Sequence, residues 1–136
     1  MPYSIALLVS YIKTKEQFSQ FKFEKTFVFR NEEKIEEYIE KCKDSDILLC
    51  SCYVWNWEIT TLLAKKVKEI NPKCLIIFGG PQVPEILEDF FEKFPFVDIA
   101  VHGEGEIIFE NILSEYLTEK NYFKVKGIST KDFTTE

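Results

Sequence analysis

The sequence predicts a three-layer α/β/α sandwich built on a parallel sheet, and three observations carry that expectation. Five short apolar runs recur along the chain: SIALLVS (4–10), KTFVFR (25–30), DILLCSC (46–52), CLIIFGG (74–80) and VDIAVHG (97–103). They are unbroken rather than alternating, as strands are when both faces of a sheet are covered. Stretches with apolar residues at helical spacing separate the last four of them. Strands and helices in alternation give a parallel sheet with helices on both faces. Right-handed crossovers then make a doubly wound, flavodoxin-like strand order of 2-1-3-4-5 the simplest arrangement.

The elements follow in order. Residues 11–24 are too polar to give a clear pattern and read as a loop with one short helix. NEEKIEEYIEKC places Ile35, Tyr38, Ile39 and Cys42 on one helical face, with Asn31 as N-cap. From Glu58 to Ile70, the residues Ile59, Leu62, Leu63, Val67 and Ile70 form a stripe that Asn71-Pro72 ends. PEILEDFFEKF sets Ile86, Leu87, Phe90, Phe91 and Phe94 behind Pro84, a residue suited to a first helical position. GEGEIIFENILSEYL aligns Ile108, Ile112, Leu113 and Tyr116. The tail NYFKVKGISTKDFTTE reads as one more short strand followed by polar residues. The expected organisation is one domain over 1–130, with 131–136 as the start of a polar linker.

The totals agree with a single packed domain. The chain has 136 residues, 46% hydrophobic and 15% aromatic, enough for a full core. A net charge of −6 argues against phosphate backbones and anionic membranes as partners, since both reward clustered Lys and Arg. No nucleic-acid or membrane partner is therefore expected. The N-terminus lacks the layout of a signal peptide, and no apolar run reaches the roughly 18 residues that span a bilayer, so the expected location is cytoplasmic. Cys42, Cys50, Cys52 and Cys74 fall on helix and strand positions without a second Cys or His pair at zinc-ligand spacing. They read as buried free thiols, and no protein metal site is expected.

Ligands of such sheets bind at the carboxyl ends of the strands, and the unusual residues collect there. Ser10 and Tyr11 follow the first run; Ser51, Cys52, Tyr53, Trp55 and Asn56 follow the third. Gly79, Gly80, Pro81, Gln82 and Val83 follow the fourth, and His102, Gly103, Glu104 and Gly105 the fifth. The third group crowds large aromatics into a turn, where water is a poor neighbour for them. Two glycines at a strand end let something approach the backbone or let the chain take positive φ. GEGE is not a dinucleotide loop: Ile108 stands where a third glycine belongs, and the stretch follows the last strand, not the first. Glu104 and Glu106 would repel a pyrophosphate and suit a helix N-terminus instead. His102, the sole histidine, stands at a strand end, where such a residue is more often structural than catalytic. A phosphoreceiver would need acidic residues where Ser10-Tyr11 and Ser51-Cys52 stand.

Ser51, YVWN, INPKCLIIFGGPQV and VDIAVHGEGE, taken together, resemble the cobalamin-binding domain at the N-terminus of cobalamin-dependent radical SAM proteins. The likeness covers about residues 3–130. It implies a Rossmann-like five-stranded sheet whose strand-end loops receive the corrinoid. In the wider superfamily a Ser-x-Leu and a Gly-Gly line the slot for the nucleotide tail; Ser51 matches the serine, Tyr53 replaces the leucine, and Gly79 and Gly80 match the glycines. Other branches carry Asp-x-His-x-x-Gly after the first strand. Here that stretch is SYIKTKEQF, which implies cobalamin without the axial histidine. His102 lies on another strand, where the family usually has Arg. The cysteines do not form the Cys-x3-Cys-x2-Cys loop of a [4Fe–4S] cluster. The resemblance therefore implies a corrinoid-positioning module without catalytic activity of its own. Its partner would be a radical SAM domain, in cis or in trans, holding the cluster and S-adenosylmethionine, for example in a methyltransferase. On the residues alone two other readings stay open: a degenerate domain of this fold in assembly or regulation, and a small flavodoxin-like flavoprotein.

Overall fold

Four strands form one sheet in the computed structural model, which describes residues 9–23, 34–83, 89–103 and 105–135. Strands β1 (Ile47–Ser51), β2 (Leu75–Gly79) and β3 (Ile99–Val101) run parallel, and β4 (Ile128–Ser129) pairs antiparallel with β3. The spatial order β1-β2-β3-β4 is the 3-4-5 portion of the expected order plus the short strand of the tail. The described helices are α1 (Ile35–Cys42), α2 (Trp57–Ile70), α3 (Phe90–Lys93) and α4 (Gly105–Leu117).

Both faces of the sheet are covered, which is why its strands read as continuous apolar runs. Leu48, Cys50, Ile76, Phe78 and Ala100 pack against α1, α2 and α3 through Ile39, Leu63, Val67 and Phe90. On the other face, Ile77 and Ile99 meet Ile12, Phe18 and the Phe109, Ile112 and Leu113 of α4. The result is the Rossmann-like α/β/α sandwich that the sequence pattern predicts.

Two expectations are corrected. The first strand does not extend to residue 10: Val9 and Ser10 belong to a helical turn over 9–13, while 1–8 lie outside the described residues. An apolar run alone does not separate a buried strand from a buried helix, and Ile12, fully buried on the α4 side, follows in that turn. The stripe of α2 is also rotated. Leu62 and Ile70 are 38% and 55% exposed, while Thr60 and Ala64 are fully buried beside Ile59, Leu63 and Val67. The small Ala64 and short Thr60 allow close approach, leaving Leu62 at the flank of the packed arc and Ile70 in the last turn. The strand at 25–30, the Asn31 cap, Pro84, Ile86 and Leu87 lie outside the described residues.

The amino ends of the strands are tied by polar bonds. Asn71, which ends α2, donates its amide to the carbonyls of Lys43 and Ser45, both at 3.1 Å. Asp98 pairs with Lys68 at 2.6 Å and accepts the Ile76 N–H at 2.8 Å, joining the entries to β2 and β3. Residues beyond β4 turn back, with Thr134 bridged to Ser129. Among the described residues, no helix is long and apolar enough to cross a membrane.

All four cysteines are free and buried. Burial, and then the neighbouring Cys74, pushes the Cys42 thiol up to about 11; burial likewise takes Cys74 to about 11. Burial raises Cys50 and Cys52 further. A raised thiol stays protonated at neutral pH, and the thiolate is the reactive form. Ellman's reagent at about pH 8 is therefore expected to leave the folded chain unmodified and to titrate the thiols only after guanidinium unfolding. A rapid stoichiometric reaction of the native chain would contradict this.

Candidate functional site at the strand ends

The parallel strands finish level with one another. Ser51 is paired with Gly79, and a β-carbon on Gly79 would lie 3.7 Å from that of Val101. Strand alternation turns Ser51, Gly79 and Val101 toward the α4 layer, so small residues line that side of the sheet's carboxyl edge. The three following loops start side by side.

The loop after β1 is organised around Asn56, which is 5% exposed. Its Oδ1 accepts the Tyr53 N–H at 2.8 Å, and its Nδ2 donates to the Ser51 carbonyl at 3.0 Å. Within that turn the Tyr53 and Trp55 rings stack, with centroids 5.6 Å apart and planes 11° from parallel. Trp55 remains 47% exposed and Val54 77%. Trp57 points the other way, edge-on to Phe78 and Phe94 at 5.8 and 5.3 Å, and fastens α2 to the core.

The loop after β2 leans on the first. Cys52 donates its N–H to the Gly79 carbonyl at 2.7 Å, and its own carbonyl accepts the Gln82 N–H at 3.1 Å. Gly80 has φ of 102°, and a β-carbon there would fall 2.6 Å from the Cys52 oxygen. The bare backbone of Gly80 thus meets another loop's backbone. Pro81 and Gln82 are exposed, whereas Val83 is buried among the α1–α3 side chains.

After β3 the chain is tied to β4. The His102 N–H donates to the Gly127 carbonyl at 2.8 Å; its Nε2 lies 2.8 Å from the Ser129 hydroxyl, itself 2.9 Å from that of Thr134. Gly103 has φ of 79° with open space around it, and Gly105 opens α4, where Ile107 is 64% exposed.

The structure therefore brings together Ser51 to Asn56, Gly79 to Val83, and His102, Gly103 and Gly105. Glu104 lies outside the described residues. Ser10 and Tyr11 lie in the 9–13 helical turn, and the Tyr11 hydroxyl donates to Glu110 at 3.0 Å; what precedes that turn lies outside the described residues. The Cys52 side chain is fully buried, so only its backbone faces the edge. Reading the sequence missed Val54 and Ile107, which flank the edge as exposed apolar groups; their exposure at an element's start leaves no periodic mark. It also missed Ser129 as the partner of His102, because no local pattern links residues 27 positions apart. Among the described residues, no cluster of three or more His, Cys, Asp or Glu is placed to hold a metal ion.

Residues 8–113 match the model of the B12 binding domain family. The chain belongs to that family. This B12-binding domain is 42% identical over 101 residues to 2-(S-pantetheinyl)-carbapenam-3-carboxylate methyltransferase of Streptantibioticus cattleyicolor. It is 41% identical over 98 residues to the cobalamin-dependent radical SAM methyltransferase TokK of Streptomyces tokunonensis. An uncharacterized methyltransferase of Pyrococcus horikoshii matches at 30% over 70 residues. These matches cover 74%, 71% and 52% of the domain, but only 15%, 14% and 15% of the relatives. The resemblance carried by Ser51, GGP and VDIAVHGEGE is borne out.

A side chain at position 80 has no room and an unfavourable φ. Gly80→Ala is expected to lower the unfolding free energy by about 2 kcal/mol or more, measured by urea denaturation. A change under about 0.5 kcal/mol, the range of neutral surface substitutions, would show that the two loops do not meet as described.

Proposed function

We propose that this B12-binding domain holds a corrinoid across the ends of β1, β2 and β3 and presents it to a radical SAM catalytic domain in the same polypeptide. The observation that carries the reading is the Tyr53–Trp55 stack, with Trp55 47% exposed and Tyr53 half-buried, standing beside the Gly79–Gly80 edge. Stacked aromatic rings at the surface suit a large flat ligand, and the exposed part of their area costs free energy unless something covers it. Tyr53, Val54 and Trp55 would form one wall for the ring system. Ser51 and Gly79, turned to the α4 side, would line the way for the nucleotide tail, with the Pro81–Gln82 and Gly103 loops at the margins. Bound there, the corrinoid supplies a cobalt centre able to take up and hand on a methyl group. The chain's own residues bind it, orient it and keep one face from water. The stretch after residue 9 has no histidine, and the His102 Nε2 is already beside the Ser129 hydroxyl. The domain thus holds the cofactor by ring and tail.

The relatives support this partner: one is by name a cobalamin-dependent radical SAM methyltransferase, and the domain spans only 14% of its length. The [4Fe–4S] cluster and S-adenosylmethionine belong to that partner domain, which would meet the open strand-end face.

The test is to mix the purified chain with hydroxocobalamin, desalt it and record the visible spectrum. Retained corrinoid with a base-off spectrum is the expected result. Loss of all corrinoid at millimolar loading, or a flavin spectrum on purification, would overturn the reading. Gly79→Ala separates binding from stability. Its β-carbon meets Val101 only at ordinary contact distance, so the melting temperature should hold. Affinity should fall about tenfold, or roughly 1.4 kcal/mol, as a methyl group enters the path of the tail.

A further inference from the structure

The geometry points to Asn56 as a positioning residue: its inward-facing carboxamide sets the turn that holds Tyr53 and Trp55 as a ledge for the flat ligand, without touching that ligand itself. The inference rests on the corrinoid reading above for the ligand's identity, and on the hydrogen bonds for the mechanism.

Both ends of the carboxamide are used within the turn. Oδ1 takes the N–H of Tyr53, the first ledge residue, and Nδ2 reaches the carbonyl of Ser51, the last residue of β1. The Asn56 N–H also donates to the Tyr53 carbonyl at 3.2 Å. One buried side chain therefore spans the turn from strand end to helix start. Asparagine in front of a helix ordinarily turns its side chain onto the first helical N–H groups. Asn56 makes no such cap bond with α2; its side chain is given to the turn behind it.

The requirement is specific. The position needs an acceptor and a donor on one short side chain. Aspartate keeps the acceptor but sets a carboxylate against the Ser51 carbonyl, and alanine has neither. What the turn delivers is order in advance. Trp55 is nearly half exposed yet stacked within 11° of Tyr53, so a ring system that lands on the pair need not order them. Preorganisation of this kind raises affinity by removing an entropic cost of binding.

The test is a double-mutant cycle between Asn56 and Trp55, read as the dissociation constant for hydroxocobalamin. Asn56→Ala is expected to weaken binding about tenfold. In a Trp55→Ala background the same change should cost less than about twofold, since a positioning residue has nothing left to position. Equal losses in both backgrounds would overturn the proposal. If Asn56→Ala does not fold, Asn56→Asp carries the same cycle. A second readout needs no corrinoid. In a Trp57→Phe chain, where Trp55 is the remaining tryptophan, Asn56→Ala should raise acrylamide quenching of its fluorescence severalfold. Unchanged quenching overturns the inference whether or not cobalamin binds. Absent corrinoid binding with increased quenching instead refutes the cofactor reading and leaves the role of Asn56 in place.

Discussion

The backbone of Gly80 lies against that of Cys52 so closely that a β-carbon would fall 2.6 Å from the Cys52 oxygen. Much of the carboxyl edge of the sheet depends on this contact. It brings the chain leaving β2 across the end of β1, where Cys52 bonds to Gly79 and Gln82 on either side. With the two exits locked together, the turn through Tyr53 and Trp55 has a rigid base. The glycine removes a side chain so that two parts of the same protein can touch, which differs from baring a backbone for a ligand. Gly79, one residue earlier, has room for a methyl group and ordinary backbone geometry, and is the better candidate for the second role.

The polar ties and the proposed ligand face stand at opposite ends of the strands. At the amino ends, Asn71 and the Lys68–Asp98 pair join helix, loop and strand through polar bonds. At the carboxyl ends, the polar groups with assigned bonds serve to shape the loops, and apolar groups are left outward at Val54, Trp55 and Ile107. Such a distribution suits a module whose open face is completed by a cofactor and a second domain. His102 is tied to Ser129, whose hydroxyl in turn meets that of Thr134, so it joins the end of β3 to the last strand.

Most of the architecture was legible in local pattern. The runs at 46–52, 74–80 and 97–103 became β1, β2 and β3 because strands buried on both faces cannot alternate. The motifs after them lay together because parallel strands of equal register end level. The first run failed at its end for want of the same signal, since a buried helical turn and a buried strand carry the same apolar residues. On α2, Leu62 and Ile70 matched the helical period but not the packed arc, which depends on where the sheet lies. Asn56 was recognisable as part of the strand-end group, though not as a residue facing inward.

The sequence by itself determined the layer order, the parallel sheet and the family to which the chain belongs. These follow from periodicity, turn residues and short motifs, all of which act over a few neighbouring positions. Only the tertiary structure decided which of the unusual residues face out. Cys52 and Asn56 turn inward, Gly80 is filled by a neighbouring loop, and His102 is engaged by Ser129, whereas Tyr53 and Trp55 stack at the surface. The physical reason is that a side chain's partner is set by the approach of segments distant in the chain. Local pattern can place a residue at a strand's end, but it carries no record of what packs there.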